Sequence, residues 1–517
     1  MGDRYPAVDQ QETPNEAHWA GPLPMPRSAG TLDLVLPPRS GGQPAQRWVY
    51  EGVRAAILDG RLRAGARLPA TRDLARQHGL ARGTVVAAFS QLQAEGYVRS
   101  TVGSGTFVGE VPPDALLGLG RPPEGPSRPR KSPSIRLSRF GRRVRELPVL
   151  EPRRTRAFRT DLPALELFPA TLWAQVTGRV LRRASIRLLL GCEPLGFRPL
   201  REAVATHLRS ARGARCGPEQ IAIVSGVQEA LDLTARLLVD PGDRVCLEDP
   251  GYGGAARAFS AVGARLVPVP VDAEGLVVDG RQLRGVRLVY TTPAHQYPLG
   301  VTMSIARRLA LLRWARGSGA VLFEDDHDGE YRYQGRPIPA LQGLEPDAPV
   351  LLAGSFGKVL FPALRLGYLV VPEPLVERVA ALRSATVRHP PVLDQAVLAA
   401  FIEEGHLARH VRRMREVYAE RRSALYDAAE RRLGDRLMLC RVEAGLQTTG
   451  LLGPGLHAAP VVRAAAEQDV EVTALGGEWR GLFREEGLEL GFAAVPPEEI
   501  RRGVEVLARV LDGARPL

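Results

Sequence analysis

From about residue 155 onward, apolar runs of strand length alternate with helix-like patterns, and this alternation constrains the fold more than any other feature. The runs at 221–224, 287–290 and 320–323 are examples. A helix between two such runs returns the chain to the same edge of the sheet, so the strands that it joins are parallel. We therefore expect an α/β domain with a mainly parallel sheet over residues 155–517.

Ahead of this domain, residues 36–109 have the pattern of a small separate domain. A helix with an apolar stripe comes first, and a short helix follows, with Thr71 as its expected N-cap. A third helix is expected from about residue 82 to residue 95. Two short strands then close the unit around 102–105, which we interpret as a hairpin tip. This order is typical of a winged helix-turn-helix.

The residues of the small domain resemble the GntR family of bacterial repressors. The matching stretches are 56–62, 68–75, 80–85, 92–97 and 103–108. The resemblance implies that Arg72, Arg82 and Thr84 meet DNA, and that Gly103 lets the wing approach the minor groove. Arg72 and Arg82 stand at helix starts, where they can reach phosphates or a guanine edge. Gly83 departs from the polar residue common there. A solvated basic face on a protein-binding winged helix is the alternative.

Composition and the remaining segments limit the kind of protein. Residues 1–35 predict a flexible tail, and residues 110–154 predict a semi-extended linker rich in Pro and Arg. A net charge of +12 and a pI near 10.0 favour an acidic partner such as nucleic acid. The four scattered cysteines have no metal-ligand spacing, and no signal or membrane segment is evident. We therefore expect a cytoplasmic, nucleoid-associated protein without a metal site.

Lys358 carries the strongest chemical signal in the chain. The protein has two lysines, Lys131 and Lys358, among 69 Lys and Arg residues, so arginine is used wherever positive charge suffices. An amine at Lys358 indicates chemistry that guanidinium cannot perform. Schiff-base formation with an aldehyde is the leading candidate, because it needs a deprotonatable nitrogen. A surface lysine on a loop is the alternative.

Other polar groups follow predicted strands of the same domain. Residues 225–228 end a strand and begin a helix, whose free backbone amides can hold a phosphate. Asp325 ends a later strand, where a carboxylate can keep a pyridine nitrogen protonated. Tyr252 can stack on a planar ring, and His295 lies in the polar loop 292–300. Each group alone has an ordinary structural explanation, but their ordered combination with Lys358 indicates a cofactor site.

Together these stretches resemble the fold-type I aminotransferases that use pyridoxal 5′-phosphate (PLP). The resemblance covers about 155–515, and fusion to a GntR-like winged helix-turn-helix resembles the MocR-type regulators. It implies that Lys358 forms the internal aldimine, that Asp325 pairs with the pyridine nitrogen, and that Tyr252 stacks on the ring. The other cofactor-binding residues that it implies are Gly226, Val227, Gln228, Ser355 and Arg365 around the phosphate, His295 near the ring hydroxyl, and His327 beside cofactor or ligand.

Three positions depart from the family pattern. His327 stands where relatives have Tyr, which alters ring polarity or pH response. Gly357, where relatives often have Ser, loosens the phosphate shell. Glu489 falls near the Arg that many aminotransferases use for a substrate carboxylate, and two carboxylates repel each other at close range. Either another Arg replaces that group or the ligand is not an ordinary α-amino acid.

The sequence therefore predicts a PLP-dependent, DNA-binding transcriptional regulator. Its aminotransferase-like domain is expected to sense PLP or a small amine or amino-acid effector, without net turnover. Operator DNA is the expected macromolecular partner, and a homodimer is the expected assembly. A working aminotransferase with an accessory DNA-binding domain is the second hypothesis. A sensor that has lost PLP is the third, and Lys358 and Asp325 argue against it.

Overall fold

A computed structural model describes most of the chain, which divides into two compact units, residues 1–134 and 135–517. The described residues are 34–101, 103–110, 135–144, 154–333, 338–475 and 485–514. Residues 1–33 of the predicted tail and most of the predicted linker lie outside them. No helix in the described ranges is long and apolar enough to cross a membrane.

The first unit has three helices closed by a hairpin, so the predicted winged helix-turn-helix order is confirmed. Its elements are α1 (Ala45–Leu58), α2 (Thr71–Gln77), α3 (Arg82–Ala94), β1 (Val98–Thr101) and β2 (Gly105–Val108). The strands β1 and β2 pair antiparallel, with Val98 opposite Val108. Thr71 is the first residue of α2 and not its N-cap, because Ala70 holds that position without a side-chain cap.

The core of this unit follows the apolar stripes of the helices. Val53 of α1, Leu74 of α2 and Val85 of α3 are fully buried together. Leu34 is buried in the same core, so the packed chain begins slightly before residue 36. Fully burying one such side chain stabilises the folded unit by about 1.5–3 kcal/mol relative to leaving it exposed.

The second unit contains a large sheet, a small sheet and the helices that cover them. Its helices are α4 (Arg139–Val144), α5 (Ala170–Arg182), α6 (Ile186–Leu190), α7 (Arg198–Arg212), α8 (Val227–Leu238), α9 (Gly253–Val262), α10 (Ile305–Ser318), α11 (Leu341–Leu344), α12 (Val376–Ala385), α13 (Val392–Glu403), α14 (His406–Arg432), α15 (Ala458–Glu467) and α16 (Pro497–Gly513).

The strands of the second unit form two sheets. They are β3 (Ile221–Val224), β4 (Arg244–Asp249), β5 (Arg265–Asp272), β6 (Gly275–Leu276), β7 (Val286–Thr291), β8 (Val321–Asp325), β9 (Val350–Ser355), β10 (Gly367–Val370), β11 (Leu437–Leu439), β12 (Gln447–Leu452), β13 (Thr473–Ala474) and β14 (Gly487–Gly491). Short 3-10 turns occur at Leu165–Leu167, Pro218–Gln220, Pro362–Leu364, Glu373–Leu375 and Gly434–Arg436.

The large sheet has the order β3-β10-β9-β8-β7-β4-β5-β6, and the small sheet has the order β11-β12-β14-β13. In the large sheet β9, β8, β7, β4 and β5 are parallel, as predicted, whereas β10 and β6 run antiparallel to their neighbours. Side chains of β4 alternate between the two faces: Val245 and Leu247 pack with α8 and α9, and Cys246 packs with α10. This alternation is the pleat of a strand buried on both faces.

The carboxyl ends of the parallel strands meet at one edge of the large sheet. Gly367 at the start of β10 pairs with both Val224 and Ser355, so the loops that follow β3 and β9 are neighbours. A Cβ at Gly367 would lie 2.6 Å from the backbone oxygen of Gly354 and 3.1 Å from Cα of Gly226. Glycine is therefore required there for the loop at Gly226 to approach.

Part of the segment expected to be an extended linker is helical and docked. The Nε of Arg143 in α4 donates to the backbone oxygen of Ala261 at the end of α9, at 2.9 Å. Phe140 receives the guanidinium of Arg236 on its ring face, with 5.7 Å to the centroid. The free carbonyls at a helix C-terminus attract cations, which explains why this basic stretch binds the end of α9.

Candidate cofactor and DNA-binding sites

A cavity of about 220 Å³ opens at the carboxyl edge of the large sheet. It is lined by Asp161, Ser225, Gly226, Val227, Gln228, Tyr252, Tyr290, Tyr297, Asp325, His327, Ser355, Gly357, Lys358, Pro362 and Arg365. The fold thus brings together every predicted cofactor-site residue except His295. The predicted residues lie at or just after the ends of strands of the large sheet, and they meet because parallel strands end at the same edge.

One end of the cavity has the features of a phosphate site. Gly226 is the N-cap of α8 with a φ of +115°, so the first backbone amides of α8 open toward the cavity. A Cβ at Gly226 would lie 3.7 Å from Nη2 of Arg365, which places a guanidinium beside the helix start. Gln228 donates to the backbone oxygen of Gly254 at 3.2 Å and so holds the starts of α8 and α9 together. Helix amides and a guanidinium together suit a phosphate group.

One carboxylate oxygen of Asp325 accepts a hydrogen bond, and the other has no partner among the described residues. Tyr290 donates to its Oδ2 at 2.8 Å, whereas the buried Oδ1 has no hydrogen-bond partner among the described residues. Burial raises the pKa of Asp325 above its usual value. A buried acceptor without a donor is costly, and the protonated ring nitrogen of a pyridine would supply both the donor and the positive charge. This geometry fits PLP.

Lys358 lies in an acidic environment. Its Nζ is 2.5 Å from Oδ1 of Asp161, 3.6 Å from Oδ1 of Asp328 and 3.1 Å from Nδ1 of His327. Burial lowers the pKa of the Lys358 amine, but Asp161 and Asp328 raise it by more, so its pKa lies above the ordinary lysine value. Without cofactor the group is therefore an ammonium, and it must lose a proton before it can attack an aldehyde.

His327 is held through both ring nitrogens. Its Nε2 lies 3.0 Å from the backbone oxygen of His295, and its Nδ1 lies 3.1 Å from Lys358 Nζ and 3.4 Å from Oδ1 of Asp328. Burial and Lys358 lower the pKa of His327, but Asp328 and Asp325 raise it by more, so its pKa lies above the ordinary histidine value. His295 itself is buried behind His327 and lies outside the cavity wall, unlike its expected place near the ring hydroxyl. Burial lowers the pKa of His295 to about 4, so the His295 ring is neutral at physiological pH.

Sequence reasoning missed Asp161, Tyr290 and Tyr297 as cavity residues. Tyr297 stood inside the predicted polar loop 292–300 and could have been found there. Asp161 had no local signal, because it is 197 residues from Lys358 in sequence and enters the cavity only through the tertiary fold. Its φ of +61° is unusual for a residue other than glycine and marks a constrained backbone.

Glu489 lies behind Tyr297 at the same cavity. It is buried, and its Oε2 accepts from the Tyr297 hydroxyl at 2.9 Å. Glu489, which departs from the aminotransferase pattern, therefore lies beside the cofactor cavity. The described lining contains no arginine besides Arg365, at the phosphate end.

The predicted DNA-contacting residues are accessible on the first unit. Arg72 is the second residue of α2 and Arg82 is the first residue of α3, and both side chains are exposed. Thr84 is half-buried two residues further along α3, and Gly103 has a φ of +79° at the hairpin tip. Arg67, which sequence reasoning missed, has its guanidinium against Gly105 of the hairpin. It adds a positive charge to the wing.

Comparison with known proteins supports the two units separately. Residues 45–108 match the gntR family of bacterial regulatory proteins, and residues 181–507 match aminotransferase class I and II. Together the matches define a DNA-binding domain joined to an aminotransferase-class domain.

Similar full-length relatives are themselves regulators. The probable rhizopine catabolism regulatory protein MocR of Rhizobium meliloti is 38% identical over 94% of this chain and 98% of its own. The pyridoxine biosynthesis regulator PdxR of Corynebacterium glutamicum is 32% identical, over 89% of this chain and 94% of its own. The transcriptional regulator TauR of Rhodobacter capsulatus is 34% identical, over 91% and 97%.

Among solved structures, α-aminoadipate aminotransferase LysN of Thermus thermophilus has a TM-score of 0.64 and 32% identity. It covers 69% of this chain and 92% of its own, and it was solved with N-(5′-phosphopyridoxyl)-L-leucine. The multiple substrate aminotransferase of Thermococcus profundus has a TM-score of 0.67 and 27% identity, covering 73% and 97%. The chain belongs to the MocR-type transcriptional regulators, with a GntR-type winged helix-turn-helix and a PLP-binding domain of the fold-type I aminotransferase class.

Proposed function

We propose that this regulator binds operator DNA through its first unit and senses PLP, or an amine that reacts with bound PLP, through its second. The observation that carries the proposal is the unsatisfied Oδ1 of Asp325 in the same cavity as Lys358. A buried carboxylate oxygen without a donor is explained by a ligand that brings one. The guanidinium of Arg365 beside the start of α8 supports the same ligand.

In this proposal, Lys358 holds the cofactor covalently and Asp325 keeps its ring nitrogen protonated. Tyr252 stacks on the ring, as supported by its place in the same cavity wall as Asp325 and Lys358. Gly226, Val227, Gln228, Ser355 and Arg365 surround the phosphate, and His327 borders the ligand side of the cavity. Bound PLP supplies an aldehyde that reacts with amines and a ring that withdraws electrons.

On the DNA side, we assign Arg82 and Thr84 to base edges in the major groove and Arg72 to the backbone. Gly103 lets the wing approach the duplex, and Arg67 extends the basic surface there. Exposure of both helix-start arginines supports this assignment. Residues 36–109 would then form the reader and residues 155–517 the sensor, both acting in the cytoplasm.

A homodimer is the assembly that we propose. Three apolar side chains at the short helix α6 support it: Ile186, Leu189 and Leu190 are exposed, as is Val387. Exposed apolar groups of this kind are typical of a surface that a second copy covers. Leu190→Glu should reduce the mass measured by light scattering, whereas Leu309→Glu on α10 should not.

The cofactor assignment is tested by reducing the PLP-loaded protein with borohydride and mapping the modified lysine. The two lysines of the chain make the result unambiguous. We expect the modification at Lys358, its loss in Lys358→Ala, and its retention in the matched control Lys131→Ala. Modification at Lys131 alone, or an unchanged imine absorption band in Lys358→Ala, would overturn the assignment.

The second candidate function is a working aminotransferase, which the presence of both Lys358 and Asp325 in one cavity favours. A turnover assay across amino donors, with a keto-acid acceptor, separates it from the sensor. Operator sequences selected from random duplexes, and footprints on them with and without PLP, test the regulatory role. Identical footprints together with sustained turnover would favour the enzyme.

A further inference from the structure

The cofactor cavity offers few positive groups to a ligand carboxylate. Of the described residues that line it, Lys358 and Arg365 are the basic ones. Arg365 faces the start of α8, at the phosphate end, and Lys358 is used for the link to the cofactor. His327 also lines the cavity, and its Nδ1 lies 3.4 Å from Oδ1 of Asp328, so a charge on its ring is paired with that buried carboxylate. With PLP bound, the described wall therefore retains no unpaired cation for a ligand carboxylate.

Asp161 places a negative charge where a ligand would enter. Its side chain is 39% exposed and its Oδ1 is 2.5 Å from Lys358 Nζ, so it borders both the solvent and the reacting amine. The backbone of Asp161 is constrained by its φ of +61°, and its N–H donates to Oε1 of Gln447 at 3.1 Å. The carboxylate is therefore held in position, and it would repel a carboxylate ligand and attract a cation.

A second carboxylate acts on the same side of the cavity. Burial, then Glu489, then Asp161 raise the pKa of the Tyr297 hydroxyl well above its usual value, so Tyr297 lies in the field of both carboxylates. Glu489 accepts from Tyr297 at 2.9 Å and also makes a further polar interaction. We therefore assign direct contact with the ligand to Asp161, and we infer that Glu489 orients Tyr297.

Asp328 is a second carboxylate beside Lys358, so Asp161 need not remain paired with that amine when a ligand binds. It is buried, its Oδ2 accepts from the backbone N–H of Leu446 at 3.3 Å, and its Oδ1 lies 3.6 Å from Lys358 Nζ. If a primary ammonium displaced Lys358 from bound PLP, the bond from the aldehyde carbon to the Lys358 nitrogen would be replaced by one to the ligand nitrogen. The protons that the ligand nitrogen lost would pass to Lys358, which would be left as an ammonium. Asp328 can then pair with Lys358 while Asp161 pairs with a second charge on the ligand, so two carboxylates match two cations.

We propose that the ligand of this site is a primary amine with a second positive charge and no carboxylate, such as an aliphatic diamine, and that Asp161 binds the second charge. This inference rests on the proposed function of the site as an amine sensor. It specifies the ligand class that the cavity recognises.

The experiment titrates the PLP-loaded full-length chain with three amines of equal carbon length and follows the cofactor absorption band. The probes are 1,4-diaminobutane, butylamine and 4-aminobutanoate. We expect the diamine to half-saturate at a concentration about tenfold or more below that of either other probe. Asp161→Asn keeps the side-chain shape and suits a positive φ, and it should remove most of the advantage of the diamine over butylamine when both are titrated against the same variant. Asp427→Asn, exposed on α14, is the matched control.

The outcomes separate the ligand class from the sensor role. Equal or tighter binding of 4-aminobutanoate, or an undiminished diamine preference in Asp161→Asn, overturns the ligand class alone. If borohydride still attaches PLP to Lys358 but none of the three amines changes the spectrum, the amine-sensing function fails and this inference fails with it.

Discussion

Asp161 should control the protonation of Lys358, and replacing it with Asn tests this directly. Two unit charges about 4 Å apart interact by about 4 kcal/mol at an effective dielectric constant of about 20, and by about 1 kcal/mol in water. Because the Asp161 side chain is 39% exposed and that of Lys358 is 20% exposed, the lower part of this range applies. A loss of about 1–2 kcal/mol corresponds to a fall of about one unit in the pKa of Lys358.

The pH dependence of the stability from these ion pairs follows from the direction of the Lys358 pKa shift. The pKa of Lys358 in the folded protein lies above the ordinary lysine value. The stabilisation from its ion pairs is therefore complete below the ordinary lysine pKa, and it is lost as the pH rises through the raised value. Asp161→Asn should move that loss to lower pH, leaving Asp328 as the carboxylate that still favours the ammonium.

Competitive acetylation of the cofactor-free protein measures this pKa, because acetic anhydride reacts with the neutral amine. Lys131 is the internal reference, since the chain has no third lysine. In Asp161→Asn, the pH of half-maximal labelling at Lys358 should fall by about one unit, while that at Lys131 stays constant. Asp427→Asn should change neither. An unchanged profile for Lys358 in Asp161→Asn would refute the reasoning and assign the raised pKa to Asp328.

Three further predictions concern DNA, packing and coupling. Arg82→Ala should weaken operator binding by about 1–3 kcal/mol and relax sequence preference, whereas Arg72→Ala should weaken binding to all duplexes alike and reduce the slope of log affinity against log salt concentration by about one. Equilibrium titrations at several salt concentrations distinguish the two variants, and full affinity in the double variant would place the DNA site elsewhere. Gly367→Ala should cost about 1–3 kcal/mol of unfolding free energy and loosen PLP, because its Cβ meets the Gly354 carbonyl, whereas Gly317→Ala in open space should not, as chemical denaturation will show. PLP with an amine effector should change operator affinity by about 1–3 kcal/mol, and Lys358→Ala should abolish the amine-dependent part; equal affinities for cofactor-free, PLP-bound and amine-treated protein would reject coupling.

The sequence alone predicted the two folds and most of the residues that line the cavity. The apolar stripes of the first unit and the strand-helix alternation of the second are local periodicities, and local periodicity fixes the type of each element. Lys358, Asp325 and Tyr252 could be identified because each stands where a predicted strand ends, and parallel strands bring such positions to one edge. The antiparallel pairing of β10 between β3 and β9 was not predictable, because strand order depends on packing between distant segments.

Only the tertiary structure decided what surrounds the reactive amine. Asp161 reaches Lys358 across 197 residues of sequence, and no periodicity connects them. The structure likewise placed His295 behind His327 and docked the α4 segment of the expected linker on the end of α9. Electrostatic contacts of this kind depend on distance in space, which the order of residues along the chain does not contain. The sequence therefore predicted an amine that reacts with an aldehyde, and the folded chain supplied the acidic surroundings that raise the pKa of that amine.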